Sequence, residues 1–276
     1  MAEAEARRLA STAGESSPPM TGAENPGSMM ASGDDNGGEV KNNGERNNGC
    51  IRRRPRSVTE LYLGGTGMGS VGCLAISNML LTNFSVRVLS LTDNGLGDRD
   101  LSLLSQSLSR NKRLPLEVLE LSFNRLTCAG VESLMNAMWG SEVLREVKLD
   151  NNQVRDRGAQ LCAVVLSSVS LEKLDLGFNR ITVLGVKALM KSVAENKSIK
   201  SLTLSGNPLD TNAAKAISYA LAYNTSLNIL RVDNCSVGYA AQRHITAGIV
   251  SNPHLSLRRV TGYRLGGASH RADMGP

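Results

Sequence analysis

The stretches LEVLELSFNRL (116–126), LEKLDLGFNRI (171–181) and IKSLTLSGNPL (199–209) are three versions of one pattern, L-x-x-L-x-L-x-x-N-x-L. Extended in both directions, the pattern opens at Val58, Val86, Leu116, Leu144, Leu171, Ile199 and Leu227, and incompletely at Leu255. The steps between these openings are 28, 30, 28, 27, 28, 28 and 28 residues. Its fourth position reads Leu61, Leu89, Leu119, Val147, Leu174, Leu202, Leu230, and its sixth Leu63, Leu91, Leu121, Leu149, Leu176, Leu204, Val232. Alternation this short is what a strand buried on one face requires.

Asparagine follows each run at Asn94, Asn124, Asn152, Asn179 and Asn207, with Thr66 in the first unit and Cys235 in the seventh. An inward amide both donates and accepts, so it can satisfy main-chain groups that water does not reach. Glycine comes next (Gly72, Gly130, Gly158, Gly185), just ahead of a helical pattern. In the fifth unit Val186, Leu189, Met190 and Val193 fall on one helical face. Asn83, Asn111, Asn196, Asn224 and Asn252 recur near the helix ends, where left-handed caps are expected.

A period near 28 with one strand and one helix per unit describes a leucine-rich-repeat solenoid. Over residues 58–260 the chain resembles the ribonuclease-inhibitor-like subtype, and its units also resemble the repeats of Ran GTPase-activating proteins and NOD-like receptors. That resemblance implies an α/β fold, a right-handed horseshoe with a parallel concave sheet and helices on the convex side. The domain reading is a disordered tail over 1–56, seven repeats and a partial eighth over 57–262, and a second disordered tail over 263–276. The two extra residues around Lys112–Pro115 are expected to bulge after the second helix. The last unit lacks a following helical pattern, so its open end is left to the tail, a second copy or a partner.

Composition narrows the function. Aromatics are only 3% of the 276 residues, too few for the stacking platforms of a single-strand nucleic-acid binder. The net charge of +6 divides into −4 for 1–50, +4 for IRRRPR at 51–56, +3 for 57–255 and +3 for the remainder. The body is thus close to balanced and lacks the unbroken basic stripe that DNA requires. Five scattered cysteines without C-x-x-C spacing argue against a disulfide framework or zinc site and for a reducing compartment. The N-terminus has no apolar signal core, and uncharged 61–86 is broken by five glycines, so no membrane span is expected. The expected location is the cytoplasm, with nuclear import through the 52–56 cluster as the alternative.

Gly67-x-Gly69-x-x-Gly72 follows a strand, precedes a helix and has Asp93 downstream, as in a dinucleotide fingerprint. Each element also belongs to the repeat: Gly72 holds the recurrent glycine position and Asp93 precedes the recurrent asparagine. The repeat explains all of it, and no cofactor is assigned. His244, His254 and His270 lack a second ligand type at metal spacing, and no nucleophile motif is present, so neither metal site nor enzyme is expected.

Function is expected on the concave face and its loop edge. The fifth-position column reads Tyr62, Ser90, Glu120, Lys148, Asp175, Thr203, Arg231, with Glu146 and Lys173 alternating beside its centre. Two readings stand, a self-neutralised ladder or a patterned surface for a charged protein partner. In the third and fifth units, Phe123 with Phe178 and Arg125 with Arg180 flank the asparagine at the strand-to-helix edge. Such residue types are enriched at binding hot spots. The expected function is a protein-interaction scaffold; the alternative is a Ran GTPase-activating-protein-like regulator of a small GTPase. That family supplies a catalytic arginine from an extended loop, yet the second unit runs LSLTDNGLGDRDLSLL without insertion. The role is therefore carried over to neither Arg99 nor Arg125.

Overall fold

The structure, a computed structural model, describes residues 57–235, 238–262 and 272–273. The expected N-terminal tail, its 52–56 cluster, Cys50 and most of the C-terminal tail lie outside the described residues. Seven units each supply a three-residue strand and a helix: β1 Glu60–Tyr62, α1 Gly69–Leu80, β2 Val88–Ser90, α2 Asp98–Arg110, β3 Val118–Glu120, α3 Cys128–Met138, β4 Glu146–Lys148, α4 Arg155–Val165, β5 Lys173–Asp175, α5 Val183–Glu195, β6 Ser201–Thr203, α6 Thr211–Tyr223, β7 Ile229–Arg231 and α7 Tyr239–Val250. β8 (Arg259–Thr261) opens an eighth unit, and β9 (Ala272–Asp273) follows.

β1 to β8 pair in sequence order and in parallel, with Leu61, Leu89, Leu119, Val147, Leu174, Leu202, Leu230 and Val260 in one register row. This is a leucine-rich-repeat solenoid. Leu91, Leu121, Leu149, Leu176 and Leu204, two residues further on in their units, are fully buried beneath the helices. Each such burial stabilises by about 1.5–3 kcal/mol. Because every unit meets a copy of itself, one branched side chain suffices throughout. In the first unit, which has no preceding unit among the described residues, Leu61 and Leu63 are only partly buried.

The asparagine ladder joins each unit to the one before it. Asn124 Nδ2 donates to Leu91 O at 3.0 Å, while its oxygen accepts the Leu96 N–H at 2.9 Å. Asn152 does the same for Leu121 O and Leu126 N–H, and Asn179 for Leu149 O and Val154 N–H. Asn207 repeats the pair on Leu176 O and Ile181 N–H. Cys235 substitutes only the donor half, its thiol lying 3.3 Å from Leu204 O.

The helix-end asparagines do something the sequence reading did not anticipate. Asn111, Asn196 and Asn224 have φ of −93, −69 and −74°, so the expected left-handed caps are not formed. Instead they build a second ladder. Asn111 Nδ2 reaches Leu80 O, Asn196 reaches Leu166 O, Asn224 reaches Val193 O and Asn252 reaches Leu221 O, at 2.6 to 2.8 Å. Their oxygens accept from their own turns, as Asn196 does from the Ile199 N–H and Asn224 from the Leu227 N–H, both at 2.7 Å. In the third unit this column holds Ser141, whose hydroxyl accepts only from Leu144 N within its own turn. A groove of about 300 Å³ opens there beside Trp139.

A third joint ties successive helices. Asp98, the first residue of α2, accepts from Thr127 N at 2.7 Å, Thr127 Oγ1 at 2.6 Å and Gly130 N at 3.0 Å at the start of α3. Asp156 does the same for Thr182 and Gly185 at the start of α5. A Cβ on Gly185 would come within 2.8 Å of Asp156 Oδ1, so this close approach requires glycine.

Two boundaries move. The eighth unit opens at Leu257, which the β7–β8 register places opposite Leu227, and not at Leu255. Leu255 N bonds Asn252 O at 3.3 Å just as Leu114 N bonds Asn111 O at 3.3 Å. Thus NPHLSL repeats NKRLPL: both units carry the same two extra residues in the turn after the helix. Beyond it, Ala272–Asp273 pairs antiparallel with β8, a strand inside the stretch read as a tail.

Asn179→Ala would leave the buried Val154 N–H without a partner and Leu149 O with only its bond from Asn152 Nδ2. One orphaned group costs about 1–3 kcal/mol, so urea unfolding should show a loss of about 2 kcal/mol with an unchanged fold by circular dichroism.

Candidate functional site

On the helix-free side of the sheet, strand residues flanking the buried row point away from the core. Most charges there pair across strands. Lys148 Nζ lies 2.6 Å from Glu120 and 3.5 Å from Glu146, and Lys173 lies 2.8 Å from Glu146. One residue before the strands, Arg87 pairs with Glu117, and Lys200 with Glu172 at 2.8 Å. That outer column (Arg87, Glu117, Arg145, Glu172, Lys200) alternates strictly in sign, a signal the 28-residue spacing carried and the sequence reading passed over.

The pairs act mildly on their members. Burial works against charge on Glu120, yet the Lys148 and Ser90 hydrogen bonds outweigh it and hold the carboxyl below its usual range. Lys148 is likewise partly desolvated, but Glu120 and Glu146 raise its ammonium above the usual value. With the Lys148 side chain 39% exposed, the pair contributes about 1 kcal/mol or less. Glu120, Lys148, Glu146 and Lys173 therefore largely neutralise one another.

Asp175 differs. Burial pushes its carboxyl up, against a Gly177 N–H at 2.9 Å, and nearby Asp150 adds to the rise. Arg231, two strands away in the same column, offsets it only partly. Tyr62 lies exposed on the first strand, its hydroxyl donating to Glu60 at 3.3 Å.

The edge holds the less ordinary geometry. Position eight of the units is left-handed: Gly65, Asp93, Phe123, Asn151, Phe178, Gly206 and Asn234 all have φ between 53 and 70°. Glycine, asparagine and aspartate tolerate this conformation; a bulky residue does not, at about 1–2 kcal/mol. Phe123 and Phe178 are the exceptions. They are held there because their N–H groups continue the strand ladder to Asp150 O and Ser205 O, at 3.0 and 2.7 Å. Neither ring is buried in return, with 55% of Phe123 and 47% of Phe178 exposed. Phe178 lies against Gly206, where any Cβ would overlap its ring.

The arginines do not match as the phenylalanines do. Arg180 is left-handed at φ 58°, whereas Arg125 is not among the positive-φ residues and bonds Leu96 O through its N–H at 2.8 Å. Their shared column therefore does not give them a shared direction. Asn94, Asn124, Asn152, Asn179 and Asn207 stand buried just behind this edge and fix its backbone. Gly67 and Gly69 lie at φ 62 and 54°, and the space at Gly72 is filled by Met68, so the repeat itself uses these glycines. Cys162 is buried on α4, its thiol pushed up to about 12 by desolvation. Among the described residues no group of His, Cys, Asp and Glu is arranged to hold a metal ion.

A family profile described as leucine rich repeat matches residues 82–105, 115–135 and 167–190. The matched stretches are leucine-rich repeats. Ribonuclease inhibitor of Sus scrofa is 28% identical over 162 residues, covering 48% of this chain and 35% of that protein. NACHT, LRR and PYD domains-containing protein 3 of Homo sapiens is 31% identical over 142 residues, covering 51% of this chain and 14% of that protein. A solved chain titled Leiomodin-1 Actin-Binding Site 2 is 20% identical with a TM-score of 0.42, covering 48% of this chain and 79% of that one. The leucine-rich repeats thus correspond to a minor part of both curated relatives.

Asp175 yields a test with a definite sign. Its folded pKa is raised, so its protonated form suits the fold and that stability is lost as pH rises through the folded value. Asp175→Asn should therefore raise the melting temperature at neutral pH. The gain should vanish below the ordinary carboxylate range, where the wild-type residue is also neutral.

Proposed function

We propose that this chain is a protein-interaction scaffold that holds a partner protein on the helix-free sheet face and the adjoining strand-to-helix edge. The observation that carries the reading is the pair Phe123 and Phe178. Both occupy a backbone conformation unfavourable to them, and both leave about half of their surface to solvent. Folding gains little from either. A partner that covers them gains two rigid aromatic anchors about 10 Å apart, since they stand two strands from each other. The anchors are preformed, so little conformational entropy is lost when they are covered.

The relatives support this reading. A ribonuclease inhibitor, by its name, acts on another protein, and this chain shares its repeats. Beside the anchors stand Asp150, Asp175 and Arg231, none of them in an ion pair among the described residues, and they set the polarity a partner must match. The regulator of a small GTPase gains no support from the geometry: Arg99 lies within helix α2 and Arg125 follows the ladder asparagine in a tight bend. The four described cysteines are free, which suits the cytoplasmic location proposed with this function.

Asparagine is the residue that the repeat itself places at position eight in Asn151 and Asn234. Phe123→Asn with Phe178→Asn should therefore keep or raise stability, by up to about 1 kcal/mol at Phe123. The same double variant should lose at least about thirtyfold in affinity for a partner captured by the wild-type chain and identified by mass spectrometry. Capture of the same proteins with equal affinity by wild type and variant would refute the proposal.

A further inference from the structure

The near-balance of charge in the repeat body conceals a separation in space. Acids are used up on the sheet and at the joints: Glu117, Glu120, Glu146 and Glu172 pair across strands, and Asp98, Asp156 and Asp210 bond helix N-termini. The outer faces of α5, α6 and α7 are left with cations. Lys187, Lys215 and Arg243 stand 28 residues apart, each the fifth residue of its helix, and all three are exposed. Neighbouring helices pack about 8–10 Å apart, so the three form one lateral row. Lys191 follows Lys187 by one turn, and Glu195 is the only acid within the three helices. Among the described residues, none of these four cations has an ion-pair partner.

This arrangement gives the fold nothing. The row lies nearer the N-terminal than the C-terminal ends of its helices, so the helix dipoles do not favour it. Lys187 and Lys191 repel each other at one-turn spacing. Four side chains without an acid partner thus act in one direction on an approaching anion.

The surface is also shaped. Between α5 and α6 lies a groove of about 440 Å³ whose rim is Lys187, Lys191 and Lys215 and whose apolar lining is Met190, Ala216 and Tyr219. Tyr219 is braced by Tyr223, their ring centroids 4.9 Å apart. We infer that the outer faces of α5–α7 bind an acidic peptide segment of a partner protein, with one apolar side chain of that segment seated in the groove. A segment in polyproline II conformation rises about 3.1 Å per residue and returns to the same face every third residue, so carboxylates three residues apart meet successive cations of the row. A lipid headgroup layer is flat and leaves the groove empty. Nucleic acid needs a longer track of cations than three helices provide.

The test uses the full chain and a fluorescein-labelled peptide with glutamate at every third position and one central leucine, read by anisotropy. Saturable binding that weakens with added salt is expected, as is its loss when the glutamates are replaced by glutamine. Lys187→Glu/Lys215→Glu/Arg243→Glu should weaken it about tenfold or more, at an unchanged melting temperature. The milder Lys187→Gln/Lys215→Gln/Arg243→Gln should act in the same direction, which covers the event that the reversal perturbs folding. Lys112→Glu/Arg113→Glu/Arg157→Glu, an equal change of charge elsewhere on the surface, should leave binding within about twofold. Equal losses in both reversal variants would overturn the inference, because attraction would then be to net charge alone. Binding of anionic phosphatidylserine vesicles or single-stranded RNA through the row, without binding of the peptide, would overturn it as well.

Discussion

A chain that leaves a strand after three residues must turn where no water can satisfy its backbone. The amide of asparagine resolves this, because one side chain donates to a carbonyl before the bend and accepts an N–H after it. Asn124, Asn152, Asn179 and Asn207 each do so for the preceding unit, so the bend of one repeat is closed by the side chain of the next. A second asparagine series at the opposite end of the helices donates to the preceding unit and accepts from its own turn. Between the two, leucine packing needs only repetition. In the third unit the column holds Ser141, and a groove lies beside it.

The same bend creates the surface assigned to function. Its left-handed position is enforced from both sides, by the strand ladder ahead and by the asparagine behind, so even phenylalanine is held in it. The residues that build the solenoid and those that face outward are therefore separable. Leucine, asparagine and the clamping aspartates account for cohesion; Phe123, Phe178 and the cations of α5–α7 contribute little to it. Charge is divided in the same way, with paired carboxylates on the sheet and unpaired lysines on the outer helices.

Much of this was legible in the sequence, because a solenoid writes neighbouring residues 28 apart. The buried leucines, the strand register and the first asparagine ladder follow from column position alone. The helix-end asparagines were visible too, but residue type could not separate a left-handed cap from a bridge to the previous unit. Only the carbonyls of a neighbouring helix decide that. Leu255 lies two residues ahead of the true opening at Leu257, because NPHLSL matches NKRLPL, whose extra leucine belongs to the turn. At the edge, Gly65, Asp93, Asn151, Gly206 and Asn234 already spelled a left-handed column, which makes Phe123 and Phe178 strained as well as exposed. The unequal settings of Arg125 and Arg180 had no such signal, since they depend on φ at one residue. β9 is two residues long and follows no period, so no pattern announced it.

The central claim is that asparagine side chains hold the bends rigid and so present the aromatic edge preformed. Native-state hydrogen exchange tests it at the amides of Leu126 and Ile181, which follow Phe123 and Phe178 and donate to Asn152 and Asn207. The account predicts protection of these amides equal to that of Leu121 and Leu176, whose N–H groups bond backbone carbonyls of the next strand. Exchange at the rate of an open loop, with the strands still protected, would contradict it.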